Sequence, residues 1–127
     1  MFFYTPAKKR GENMKKMITE YIRKNKAVSY VELERLFEKS GYEYKGNMMS
    51  CSDKNYNVIF WSGWNSQAFN LIGELIKENK IHREPCQPFI YLIDGKALTY
   101  PVVKSNANFK TLHWLPCVFM PGAGKKC

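Results

Sequence analysis

Met14, Met17, Ile18, Tyr21 and Ile22 recur at i, i+3, i+4, i+7 and i+8, which predicts a helix over residues 12–25 with one apolar face. Lys15, Lys16, Arg23 and Lys24 fall outside that face in this reading, and Asn25 marks the end. After a connection centred on Ala27-Val28, Ser29 with Glu32 three residues on forms a capping box, and Gly41 closes a second helix whose Val31, Leu33, Leu36 and Phe37 point inward. Residues 42–49 and 57–61 look strand-like around the polar turn 50–55, so a hairpin or long loop precedes the third helix. That helix buries Ala68, Leu71, Ile72, Leu75 and Ile76, with Asn65 or Ser66 as its cap. A strand starts at Lys80-Ile81, turns through Pro85 to Pro88 and returns over residues 89–93. Residues 98–103 are again strand-like, residues 112–120 are apolar enough to rejoin the core, and 121–127 read as a flexible tail.

With 127 residues and 45% hydrophobic content, the chain builds one ordinary core, over residues 12–120. No stretch of about 18 apolar residues exists to span a membrane. The N-terminus lacks the features of a secretory signal, so the expected location is cytoplasmic, with Cys51, Cys86, Cys117 and Cys127 as reduced thiols or metal ligands. Sixteen lysines against four arginines, with frequent asparagine, point to an AT-rich genome such as that of a low-GC bacterium, its phages or its plasmids.

The net charge of +9 is unevenly placed. Residues 1–26 hold eight basic against two acidic side chains. Lys8, Lys9 and Arg10 form a basic N-terminal arm over residues 1–11, followed by Lys15 and Lys16 on the first helix. Such a cluster attracts phosphates through counterion release, without sequence information. The bland alternative is a solvated face that only aids solubility.

Candidate chemistry is sparse. His82-Arg-Glu-Pro-Cys86 and His113-Trp-Leu-Pro-Cys117 share a His-x3-Cys spacing, and two such pairs would complete a tetrahedral zinc site. Neither carries the Cys-x2-Cys knuckle common in structural zinc sites, so the reading adopted is no metal and no cofactor, with the cysteines as small hydrophobes. Tyr42, Tyr44, Tyr56, Trp61 and Trp64 interleave with lysine in a way that suits stacking on unpaired bases, but such aromatics more often fill a core. Phe2-Phe3-Tyr4 is apolar enough to dock on the domain or on a second subunit. No nucleophile elbow or acidic metal cluster occurs, and Gly122-Ala-Gly-Lys-Lys126 lacks the first glycine and the Ser/Thr of a phosphate loop, so an enzyme is not expected.

Helix, short connection, capped helix, third helix and hairpin together resemble the winged helix-turn-helix superfamily over residues 12–94. The resemblance implies an α+β fold with three helices, an inserted hairpin or loop before the third, a β-wing and a C-terminal β extension. It also implies DNA as partner, with the third helix in the major groove and the wing near the backbone or minor groove. Ser66, Gln67 and Asn70 would then face base edges, where Gln and Asn suit adenine, and Arg83 would face phosphate or the minor groove. Against this, Glu74 and Glu78 balance Lys77 and Lys80, so the third helix carries no net positive charge. Two functions follow as expectations: an accessory or regulatory DNA-binding protein, or a protein-docking module that binds or inhibits a host or replication enzyme.

Overall fold

The computed structural model describes residues 7–105 and 107–124. Phe2-Phe3-Tyr4, Lys125, Lys126 and Cys127 lie outside the described residues, so the expectations placed on them are not addressed. Within the described residues the fold is α+β, with four helices and two three-stranded sheets.

Helix α1 spans Ala7–Asn25. It starts five residues before the expected start at residue 12, so Lys8, Lys9 and Arg10 sit on helix rather than on an arm preceding it. Lys26 and Ala27 then take left-handed backbone angles (φ 54° and 49°), which turn the chain sharply into β1, Val28–Ser29. Ser29 caps α2 (Tyr30–Ser40) by accepting from the Glu32 amide, and Gly41 closes the helix in the αL conformation, as the capping pattern predicts. The Glu32 carboxylate accepts from the Tyr21 hydroxyl at 3.0 Å and so ties α2 to α1.

The predicted insertion is a real hairpin. Strands β2 (Lys45–Cys51) and β3 (Val58–Trp64) pair antiparallel with bulges. Gly46 is required there, because a Cβ would meet the Asn65 backbone at 2.7 Å, and Asn65 is the residue that caps α3 (Ser66–Lys77). Ala68, Leu71, Ile72 and Leu75 are buried along α3 as expected, and Ile76 is half-buried.

Two sequence expectations fail beyond α3. Strand β4 (Ile81–Pro85) is present, but residues 89–93 are not its returning partner: Phe89–Asp94 form a helix, α4. Gln87-Pro88 start a helical turn, and Gly95 in αL ends it by donating to Tyr91 and Leu92 carbonyls, so local turn chemistry overrides the short apolar run. Residues 98–103 make only an isolated bridge from Val102 to Trp114. The strand that does pair with β4 is β6 (Cys117–Pro121), 31 residues later, and β6 also pairs with β1 to give the order β1-β6-β4. Strand β5 (His113–Trp114) joins β3 in parallel and completes the second sheet, β2-β3-β5. Gly122 donates to the Lys80 carbonyl at 2.8 Å, so the chain stays on the sheet just past β6.

The core between the sheets and helices is aromatic. Trp61, Trp64, Trp114, Tyr30, Tyr91, Phe37 and Phe119 are fully buried, and the Tyr30 ring stacks on Trp61 at 5.7 Å with an edge contact to Phe119 at 4.8 Å. The aromatics of the insertion therefore divide: Tyr44, Trp61 and Trp64 are core, Tyr42 is half-buried, and Tyr56 alone is largely exposed. Two buried N–H groups of that core converge on one carboxylate. Glu34 accepts from Trp61 Nε1 and Trp64 Nε1, each at 2.9 Å, and from Lys96 Nζ at 3.0 Å. A buried acid survives because its oxygens are satisfied by donors held in place by the packing.

Candidate nucleic-acid interface

The first turns of α1 pack beside the first turns of α3, and the αL cap of α2 brings Gly41, Tyr42 and Glu43 up between them. The resulting groove of about 500 Å³ is lined by Lys8, Arg10, Glu12 and Lys15 from α1 and by Gln67, Asn70 and Glu74 from α3, with Tyr42 and Glu43 at one side. Residues separated by some sixty positions are thereby brought onto one surface. Ser66 and Lys9 are exposed on the same two helices but do not line the groove, and Lys16 lines a different groove on the other flank of α1. Tyr42 stacks on Phe37 at 5.4 Å, and burial raises its phenol above the ordinary value while the Arg10 charge opposes that shift.

Lys15 departs from its expected place. Its side chain is only 11% exposed, and Nζ lies 2.8 Å from Glu78, 3.5 Å from Glu74 and 3.9 Å from Glu12. The hydrogen bond to Glu78 raises its pKa against the opposing effect of burial. This lysine is an internal tie between α1 and α3, not a free phosphate contact. A signal was present in the sequence: Gly11, Lys15, Ile18 and Ile22 share one helical stripe, so Lys15 continues the apolar face. The same ties offset one of the three negative charges carried by Glu12, Glu74 and Glu78.

Arg83 is similarly engaged. Nε donates to the Tyr30 hydroxyl at 2.9 Å, Nη2 reaches Ser50 Oγ at 3.4 Å, and the guanidinium lies 4.3 Å over the Phe60 ring. It bridges the two sheets from β4 and is not part of the groove.

The histidine-cysteine pairs do not converge. On an extended strand, residues four apart are about 13 Å apart, too far to share a metal, and His82 lies in β4 with Cys86 directly after its end. His82 instead contacts the Gly122 carbonyl (3.0 Å) and Glu84 (2.9 Å), and His113 contacts the Thr111 carbonyl (2.9 Å). Burial pushes the Cys86 thiol up to about 11 and the Cys117 thiol up to about 12. No group of three His, Cys, Asp or Glu side chains able to hold a metal occurs among the described residues, and no described helix is long and apolar enough to cross a membrane.

No protein-family model, curated protein or solved structure matches the chain.

Sequence reasoning missed the α2 cap as a groove wall. It also missed α4, which carries the most conspicuous surface feature: Phe89, Leu92 and Ile93, at i, i+3 and i+4, are 55%, 68% and 76% exposed.

Proposed function

We propose that this chain is a winged-helix-like accessory or regulatory DNA-binding protein whose contact surface is formed by the N-terminal turns of α1 and α3. The observation that carries this reading is the groove in which Lys8 and Arg10 meet Gln67 and Asn70. Exposed Lys8 and Lys9 would hold phosphates, while Ser66, Gln67 and Asn70 would approach base edges from the first turns of the helix. Of the α3 carboxylates, Glu78 lies beyond the groove and Glu74 lines it, and both are in contact with Lys15.

Element order supports the winged-helix part of the proposal. Helix, short strand, helix, the inserted β2–β3 hairpin and a third helix are followed by β4 and later β6, an antiparallel pair that the short strand β1 joins. In this reading β4 and β6 are the two wing strands, and residues 86–116 are a long excursion between them.

The test is fluorescence anisotropy of labelled duplex and single-stranded DNA at about 50 and about 200 mM salt, a range over which phosphate-driven binding weakens steeply. Binding that falls with salt and is lost in a Lys8→Glu/Lys9→Glu variant supports the reading. Absence of binding at the lower salt sinks it. The second reading, a protein-docking module, is favoured by the exposed Phe89, Leu92 and Ile93 stripe of α4, and would show as specific capture of a protein partner abolished by Leu92→Asp.

A further inference from the structure

On the opposite flank of α1 from the α3 groove, a second groove of about 570 Å³ runs between α1 and α2. Its floor is apolar: Met17, 40% exposed, with Tyr21 and Leu36. The Tyr21 ring is fixed in that floor by its hydroxyl bond to Glu32, and Asn25 closes the end by donating to the Tyr21 carbonyl at 2.9 Å. Lys16 and Lys24 stand on the rim. They are eight residues apart on one helix, about 12 Å at 1.5 Å per residue. The acid between them, Glu20, is already paired with Arg23, and neither rim lysine pairs with a carboxylate among the described residues.

We propose that this groove docks an acidic amphipathic helix from a protein partner. An apolar floor one helical turn long accepts two anchors spaced i and i+4, and two uncompensated cations about two turns apart require carboxylates at matching spacing on the partner. Charge complementarity fixes the occupant's chemistry: a basic or neutral helix would leave both lysines without a partner and gain only the small apolar contact. The surface is separate from the DNA groove, because Met17, Lys24 and Leu36 do not contribute to it.

The probe is a fluorescein-labelled helical peptide of about 16 residues, with Leu at i, i+4 and i+8 and Glu beside them, long enough to populate helix in water. Controls are the same peptide with Lys for Glu, and an acidic peptide of identical composition in scrambled order. The full chain, labelled at Met, Leu and Ile methyls, is titrated by NMR. The expected result is saturable shifts of Met17 and Leu36 methyls with the acidic amphipathic peptide. Leu36→Asp should weaken binding about tenfold or more by removing an anchor. Lys24→Glu should weaken it about threefold, as expected for one exposed ion pair turned repulsive. Thermal melts check that both variants fold, and Met17→Asp replaces Leu36→Asp if the latter does not. Equal binding of the scrambled or Lys peptide, shifts confined to Leu92 and Ile93, or no shifts at all would overturn the proposal. So would concentration-dependent Met17 and Leu36 shifts without peptide, accompanied by a doubled mass in light scattering, since the groove would then be covered by a second copy.

Discussion

Two ion clusters hold this molecule together, and they are built in opposite ways. At Glu34 one carboxylate, 5% exposed, gathers two indole N–H groups inside the aromatic core and the ammonium of half-exposed Lys96 at its edge. At Lys15 one ammonium is shared by Glu78, Glu74 and Glu12, whose side chains remain 46% to 58% exposed. The two indole partners of Glu34 cannot turn to water if the acid is lost, because Trp61 and Trp64 are packed on all sides. The partners of Lys15 can. The same residue classes therefore carry different weight: burial of the partners, more than the number of contacts, sets what each cluster contributes.

The largest expected effect is at Glu34. Glu34→Ala strands two buried indole N–H groups and should cost about 3–5 kcal/mol in urea unfolding, the range for breaking a buried charged network. Glu34→Gln keeps one acceptor and should lose less. A cost below about 1 kcal/mol for the alanine variant would erase the contrast with Lys15, since that is the scale of an exposed ion pair.

Next is the charged surface that neither cluster uses. Lys8→Glu/Lys9→Glu should reduce DNA affinity about tenfold or more and make the salt dependence shallower by about two phosphate contacts, with stability nearly unchanged. Lys15→Gln should do the reverse. It should cost about 1 kcal/mol in stability, the upper end for a partly exposed ion pair, and leave DNA affinity within about twofold. Lys15→Gln losing affinity as strongly as the Lys8/Lys9 variant would return Lys15 to the phosphate-binding set.

The smallest effect is alkaline. Burial raises the Cys86 thiol from an ordinary value near 9 to about 11, so the folded chain keeps a proton in that window that the unfolded chain releases. Stability should therefore fall as pH rises from about 9 towards 11, and Cys86→Ser should flatten the fall. At about pH 8, iodoacetamide should modify Cys86 more slowly in the native chain than in urea, because the thiolate is the reactive form.

Much of the local structure was legible in the order of residues. The Ser29 and Gly41 caps, the α1 and α3 periodicities and the polar turn of the inserted hairpin are short-range signals, and the corresponding elements form where those signals lie. The segment 89–93 was misread because five apolar residues satisfy a strand and a helical turn equally well, and only the Gly95 cap and the packing of Tyr91 settle it. The candidate site was legible by residue type but not by arrangement. The amides of α3 stand where the pattern put them and Lys8 and Lys9 are exposed but on helix α1 instead of an arm, whereas Lys15 and Arg83 are held by partners 59 to 63 and 33 to 53 residues away in the chain.

What the sequence by itself determined is therefore the identity of three of the four helices with the caps of α2 and α3, much of the core and the concentration of positive charge near the N-terminus. Each depends on neighbours within a few residues or on a simple count. Tertiary structure alone decided which strand would pair with β4, that two tryptophans would share Glu34, and which lysines would remain free for a ligand. Those outcomes depend on distances between residues far apart in the chain, and a cation near three carboxylates differs from a cation facing water only once the helices have packed.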